Sequence, residues 1–227
     1  MQTNLIEITH IGSSTAGVLD IPAKFWPEPG QYLPCQNLKD KTPFDLNLFK
    51  VIGSAGVLSL APLPGDWYPG DDIACLPPHG NGFQLPPSAR RVALLAMDVS
   101  PIRLLTLVKP ALAQGASVTL FYDPGKYGDV LNWLPSAVEV VPLSAIGENL
   151  DWPDYLAIDI KRTSLSELNS LLGTSQLTFN GQVLVQTDMP CHGIGECGVC
   201  AVQTKHGWRL ACKDGPVFPL EDLRNVA

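Results

Sequence analysis

Cys191, Cys197 and Cys200 fall within one ten-residue stretch and Cys212 follows, giving the spacing C-x5-C-x2-C-x11-C. Four thiolates, three from a glycine-rich loop and one arriving from a later strand, are what a plant-type [2Fe–2S] cluster needs. Gly193, Gly195 and Gly198 lie among the first three. A loop wrapped around a cluster needs positive φ angles and close backbone approach, so that N–H groups point at sulfur. Such a cluster carries one electron at a time, so the chemistry implied is electron transfer. Zinc is the alternative, yet structural zinc sites come as two matched, closely spaced pairs, and this pattern is one asymmetric triplet plus a distant single. Disulfides are the other alternative. The start Met1-Gln2-Thr3-Asn4-Leu5-Ile6-Glu7 has neither a basic segment nor a long apolar run, so a reducing cytoplasmic setting is expected, where clustered cysteines more often bind metal. Cys35 and Cys75 lie in apolar or proline-rich surroundings and read as buried small hydrophobes.

The elements that must position this loop divide the chain in three. Up to residue 88, short alternating segments at 5–11, 17–21, 31–35, 46–52 and 57–61 are punctuated by Gly and Pro, the pattern of a small β-barrel or sandwich. From 89 to 180 the character changes. Residues 92–97 form a continuous apolar run, the mark of a strand buried on both faces. Further strands are expected at 117–122, 138–141 and 155–160. Between them, Pro101 suits a helix first turn, Leu104, Leu105, Val108, Ala111 and Leu112 follow at helical spacing, and Gly115 closes it. Pro110 is expected to end or kink that helix. Thr163 and Ser164 compete to cap a second helix ending near Leu172. Strands alternating with helices imply a parallel α/β sheet. From 181 to 227 comes the cysteine segment: a strand at 182–186, the loop, a strand at 198–204, a turn at 205–208 and a return along 209–212.

The fold class expected is therefore α+β and multi-domain: an N-terminal β-barrel, a central parallel-sheet domain of nucleotide-binding kind, and a C-terminal cysteine-loop segment. Bulk composition narrows the partners. The 227 residues are 45% hydrophobic and 16% charged, ordinary for a well-cored chain, and no apolar run reaches membrane-span length. A net charge of −7 with no basic stripe argues against nucleic acid.

In this order of parts the chain resembles ferredoxin-reductase-like proteins with an appended cluster, above all the electron-transfer subunit of the NAD-linked dihydroorotate dehydrogenases. Residues 189–200, with Cys212-Lys213-Asp214-Gly215-Pro216-Val217-Phe218, carry the resemblance most sharply; Pro29-Gly30-Gln31-Tyr32 and Gly80-Asn81-Gly82-Phe83 match barrel motifs. The resemblance implies FAD and a [2Fe–2S] cluster, with electrons passed between NAD(H) and an FMN-bearing catalytic partner. Three departures stand against parts of it. The family has one residue fewer between its first two cysteines, and His192 is the insertion. Thr42-Pro43-Phe44-Asp45-Leu46-Asn47 lacks the arginine of the flavin strand and carries an acid, which repels a pyrophosphate. Gly53, Ser54 and Gly56 could offer backbone N–H groups to a flavin phosphate instead, or form a plain β-turn. Ala96-Met97-Asp98-Val99-Ser100-Pro101 has none of the glycines of a dinucleotide turn, and Ala157-Ile158-Asp159-Ile160 replaces a Cys-Gly-Pro.

The expectation is an electron-transfer subunit relaying single electrons through a [2Fe–2S] cluster held by Cys191, Cys197, Cys200 and Cys212. NAD binding is expected to be lost and FAD is left open. No residue reads as a catalytic acid, base or nucleophile, since His10, His79, His192 and His206 are scattered. The partner expected is a redox protein, such as a flavin-containing dehydrogenase subunit, in a hetero-oligomer. Two alternatives remain: a complete FAD and cluster subunit that oxidises NADH for a dihydroorotate dehydrogenase catalytic subunit, and a zinc-stabilised scaffold without redox chemistry.

Overall fold

The computed structural model describes residues 1–39, 46–51, 58–172 and 179–224. The N-terminal region is a sheet of six antiparallel strands: β1 (Gln2–Ile11), β2 (Ser14–Leu19), β3 (Tyr32–Asn37), β4 (Leu46–Val51), β5 (Leu58–Ala61) and β6 (Asp72–Cys75). Their order is β1-β2-β5-β4-β3-β6, and β6 pairs back onto β1, so the ring of ladders closes. Alternate residues point inward, and Leu5, Leu19, Leu33, Leu48, Leu60 and Ile73 share one core with Trp67. The alternation slips once. A register shift between Leu5 and Glu7 turns Ile6 out to 55% exposure, as a bulge does when it adds one residue to a strand. β6 lies outside the strands read from sequence, because four residues beside a proline-rich turn carry too little periodicity.

The second sheet is built from β7 (Arg91–Met97), β8 (Ser117–Tyr122), β9 (Val138–Pro142), β10 (Tyr155–Lys161) and β11 (Asn180–Gln186), all parallel. Residues 92–96 of β7 are fully buried, as a central parallel strand covered on both faces must be. The β12 (Ala201–Thr204) and β13 (Gly207–Leu210) hairpin stands apart, and β14 (Val217–Pro219) adds an antiparallel edge beside β11. The strand that leads into the cysteine loop is thus also part of the central sheet.

The helical connections are short: α1 (Val108–Ala113), α2 (Pro124–Tyr127), α3 (Leu165–Leu172), α4 (Ala211–Asp214) and α5 (Leu220–Leu223). A 3-10 segment at Pro101–Leu107 runs directly into α1, so Pro110 sits in the first turn of α1 and does not end it. A first-turn N–H has no helical partner, so proline costs little there. Gly115 follows α1 with φ 80. Ser164 does not cap α3; its hydroxyl donates to Asp98 Oδ2 at 3.0 Å. Cys212 is the second residue of α4, which follows β13 directly, where the sequence pattern places it on a strand.

Candidate metal centre

The cysteine loop begins where β11 ends at the C-terminal edge of the parallel sheet. Its turns are fastened by backbone bonds, Ile194 N–H to Cys191 O at 3.0 Å and Ala211 N–H to Cys200 O at 3.0 Å. The second bond draws the base of α4 onto the end of the loop and brings Cys212 beside Cys200. Cys191 and Cys212 Sγ stand 3.8 Å apart, Gly195 N–H donates to Cys191 Sγ at 3.4 Å, and Cys212 N–H donates to Cys200 Sγ at 3.4 Å. Cys200 and Cys212 are buried, Cys191 is half-buried and Cys197 is exposed. Among the described residues no three His, Cys, Asp or Glu side chains converge as they would on a single metal ion.

The electrostatics of the thiols follow from this packing. Burial raises the Cys191 thiol, but the Gly195 N–H and the Cys197 and Cys212 side chains outweigh it and hold the group at about 7. Cys212 is pushed up to about 12, first by burial and then by Cys200 and Cys191. Gly193, Gly195 and Gly198 have φ of 87, 80 and 71, and His192 has φ 51. The extra residue of the loop is accommodated as a left-handed turn, a conformation that costs a non-glycine residue free energy. Gly193 is also a close approach: a Cβ there would meet His79 Cδ2 at 2.7 Å.

Residues remote in sequence complete the seat. Tyr32, fully buried on β3, donates its hydroxyl to Cys212 O at 3.0 Å, and Asn47 of β4 donates to Met189 O at 3.3 Å. Arg162 Nη1 donates to Val199 O at 2.6 Å and Ala201 O at 3.1 Å. Sequence reasoning missed Arg162, read His79 as a scattered histidine, and quoted Tyr32 and Asn47 only as parts of barrel and flavin-strand stretches, not as supports of the cysteine loop. Only the meeting of the two sheets brings these residues to the loop.

At the C-terminal ends of β7 and β10, the acids within the two stretches that depart from the nucleotide motifs are paired inside the fold. Asp98 has φ 56 and takes Lys126 Nζ at 2.8 Å. That bond, with Ser164, holds its carboxyl below the usual range. Asp159 is fully buried; Arg103 Nε reaches Oδ2 at 2.8 Å and Gln186 Nε2 reaches Oδ1 at 2.6 Å. The Arg103 guanidinium lies 5.4 Å over the Phe49 ring of β4, so the pair bridges the two sheets. Gly53, Ser54 and Gly56, proposed for a flavin phosphate, and residues 42–45 of the altered flavin strand lie outside the described residues.

Comparison with known proteins agrees with the cysteine loop. Residues 186–224 match the family model for the iron–sulfur cluster binding domain of dihydroorotate dehydrogenase B. The chain is 27% identical over 163 residues to the electron transfer subunit of dihydroorotate dehydrogenase B (NAD(+)) from Clostridium perfringens, a match covering 66% of this chain and 65% of the relative. It is 25% identical over 187 residues to sulfhydrogenase 1 subunit gamma of Pyrococcus furiosus, covering 68% and 64%. The matches thus span a little under two thirds of those two relatives. Among solved structures, a chain of the NADH-dependent reduced ferredoxin–NADP oxidoreductase superposes with a TM-score of 0.76 at 16% identity, over 97% of this chain and 88% of that one. The sheet-rich N-terminal region followed by an α/β region is a ferredoxin-reductase-like fold.

Proposed function

We propose that this chain is an electron-transfer subunit whose cysteine loop holds a [2Fe–2S] cluster, serving a flavin-containing dehydrogenase partner in a hetero-oligomer. Cys191, Cys197, Cys200 and Cys212 are its ligands. The observation that carries the reading is the clustering of three of the four cysteines, with Cys191 Sγ 3.8 Å from Cys212 Sγ and Cys212 N–H donating to Cys200 Sγ, inside a stretch that matches a cluster-binding domain. A binuclear cluster takes two thiolates at each iron and, when bound, accepts and releases one electron.

The chain's own groups suit that chemistry. The N–H groups of Gly195 and Cys212 donate to sulfur and so favour the added negative charge of a reduced state. Tyr32 and Arg162 fix the loop by donating to backbone carbonyls rather than to sulfur. Burial of Cys200 and Cys212 excludes water on one side, while exposed Cys197 offers a short path to a partner on the other. NAD(H) does not fit the residues present. The turn after β7 carries Asp98 tied to Lys126 and Ser164, and the end of β10 is filled by Asp159, Arg103 and Gln186. No step through a nicotinamide is proposed.

The test is a visible absorption spectrum with iron and sulfide analysis of anaerobically purified protein, before and after chemical reduction. Charge-transfer bands that bleach, with two irons per chain, are the expected result, and denaturation shows whether flavin is carried as well; two irons is the stoichiometry of the cluster type. Released flavin would return the reading to an FAD-bearing subunit. A colourless, zinc-containing protein would overturn the redox function.

A further inference from the structure

Two cysteines lie outside the cluster loop, and the fold places them side by side. Cys35 on β3 and Cys75 on β6 are register partners across the antiparallel ladder that helps close the N-terminal sheet. Both are fully buried. Leu76 N–H donates to Pro34 O at 2.9 Å, which makes Pro34 and Leu76 a hydrogen-bonded pair and Cys35 and Cys75 the adjacent non-hydrogen-bonded one. In that class of pair the Cα atoms stand about 4.5 Å apart, within the span of a disulfide. The two Sγ atoms are 2.9 Å apart, so the bond can form without moving either strand far. Sequence reading treated the two as buried small hydrophobes, from their apolar or proline-rich surroundings.

We propose that Cys35 and Cys75 are a dithiol–disulfide couple, a covalent modification site separate from the cluster ligands. Closure breaks two S–H bonds and forms one S–S bond. The two electrons and two protons pass to a peroxide, which becomes two waters, or to a small-molecule disulfide, which becomes two thiols. Burial and the neighbouring Cys75 both raise the Cys35 thiol, so the closed sheet holds little thiolate and closure is fastest when β3 and β6 part or while the chain folds. The bond ties the strand carrying Tyr32, which touches Cys212, to the strand leading to His79, which touches Gly193. Oxidation of the pair therefore braces two walls of the metal centre.

The experiment uses the full chain, prepared reduced and anaerobic, then divided. One portion stays reduced, one receives stoichiometric hydrogen peroxide, and one is unfolded and refolded with oxidised glutathione. Free thiols are blocked, and tryptic peptides are mapped by mass spectrometry without reduction. The expected product is peptide 25–39 joined to peptide 51–90, with the mass of two hydrogens lost and the link reversed by dithiothreitol. With the cluster removed from every portion before melting, the disulfide-linked chain should melt several degrees above the dithiol chain, and Cys35→Ser and Cys75→Ala should each abolish that difference. Mapping on the unaltered chain keeps the test independent of whether either variant folds. Absence of the 25–39/51–90 product from both oxidised samples overturns the proposal, as does oxidation confined to the four loop cysteines.

Discussion

At the scale of single residues, the chemistry depends on positions where the backbone or a charge has no substitute. Gly193 combines a φ of 87 with a ring carbon 2.7 Å from where a Cβ would lie. Gly193→Ala should cost roughly 1–3 kcal/mol through left-handed strain and the His79 clash. Thermal melting checks the stability, and the visible spectrum checks cluster retention, which should fall with it. Asp71 is a second such position, 2% exposed. It accepts from Asn37 at 2.7 Å and from Tyr68 N–H at 3.0 Å, and pairs with Lys39. Lys39 above all, then the Tyr68 N–H, holds its carboxyl below the usual range. A lowered folded-state value means the stabilisation is whole above the ordinary carboxylate range and is lost as pH falls through the lowered value. Asp71→Asn should cost about 1–2 kcal/mol near neutral pH, with Lys39 discounted because it is exposed. The gap between variant and parent should narrow in acid, as denaturant titrations at several pH values will show; a gap that widens in acid would contradict the assignment.

Among the elements, the decisive contact is between the Pro101–Leu107 segment, β4 and β10. Arg103 projects from that segment, lies over Phe49 of β4 and pairs with Asp159 of β10. Burial pushes the Asp159 carboxyl up, and Arg103 and Gln186 pull it down. Removing one partner of a buried pair leaves a charge stranded, so Arg103→Met should destabilise by roughly 3–5 kcal/mol. Replacing both, as Arg103→Met with Asp159→Leu, should recover most of that loss. Denaturant unfolding of the two singles and the double measures it, and additive losses would show that the groups do not interact. Apolar runs and spacing placed most strands within a residue or two. They did not reveal β6 or β14, which are short and exist because a neighbouring edge was free to pair.

For the whole molecule, the metal centre is a joint between parts. Its loop leaves β11 of the central sheet, α4 closes it, and Tyr32 and Asn47 reach it from the N-terminal sheet. Stripping iron with a chelator should lower the melting temperature and reduce hydrogen-exchange protection in residues 186–215. Protection of β7 and β10 should persist, because that core is apolar and independent of metal. NADH added to the intact protein should give no change in melting temperature and no hydride oxidation; a saturable shift would show that the β7 turn binds nucleotide despite Asp98. Among the described residues no helix is long and apolar enough to cross a membrane.

What the sequence determined by itself was whatever rests on local rules: four thiols at cluster spacing, glycines where a loop must take positive φ, and buried strands marked by unbroken apolar runs. Those signals survive in one dimension because each depends on covalent geometry or on the neighbours of a few residues. Tertiary structure alone decided that Asp98 and Asp159 are neutralised by Lys126 and Arg103, and that His192 is absorbed as a left-handed turn. It also decided that Cys35 faces Cys75. The two ion pairs and the cysteine pair each depend on a partner many residues away in the chain, and only tertiary packing determines which distant groups meet.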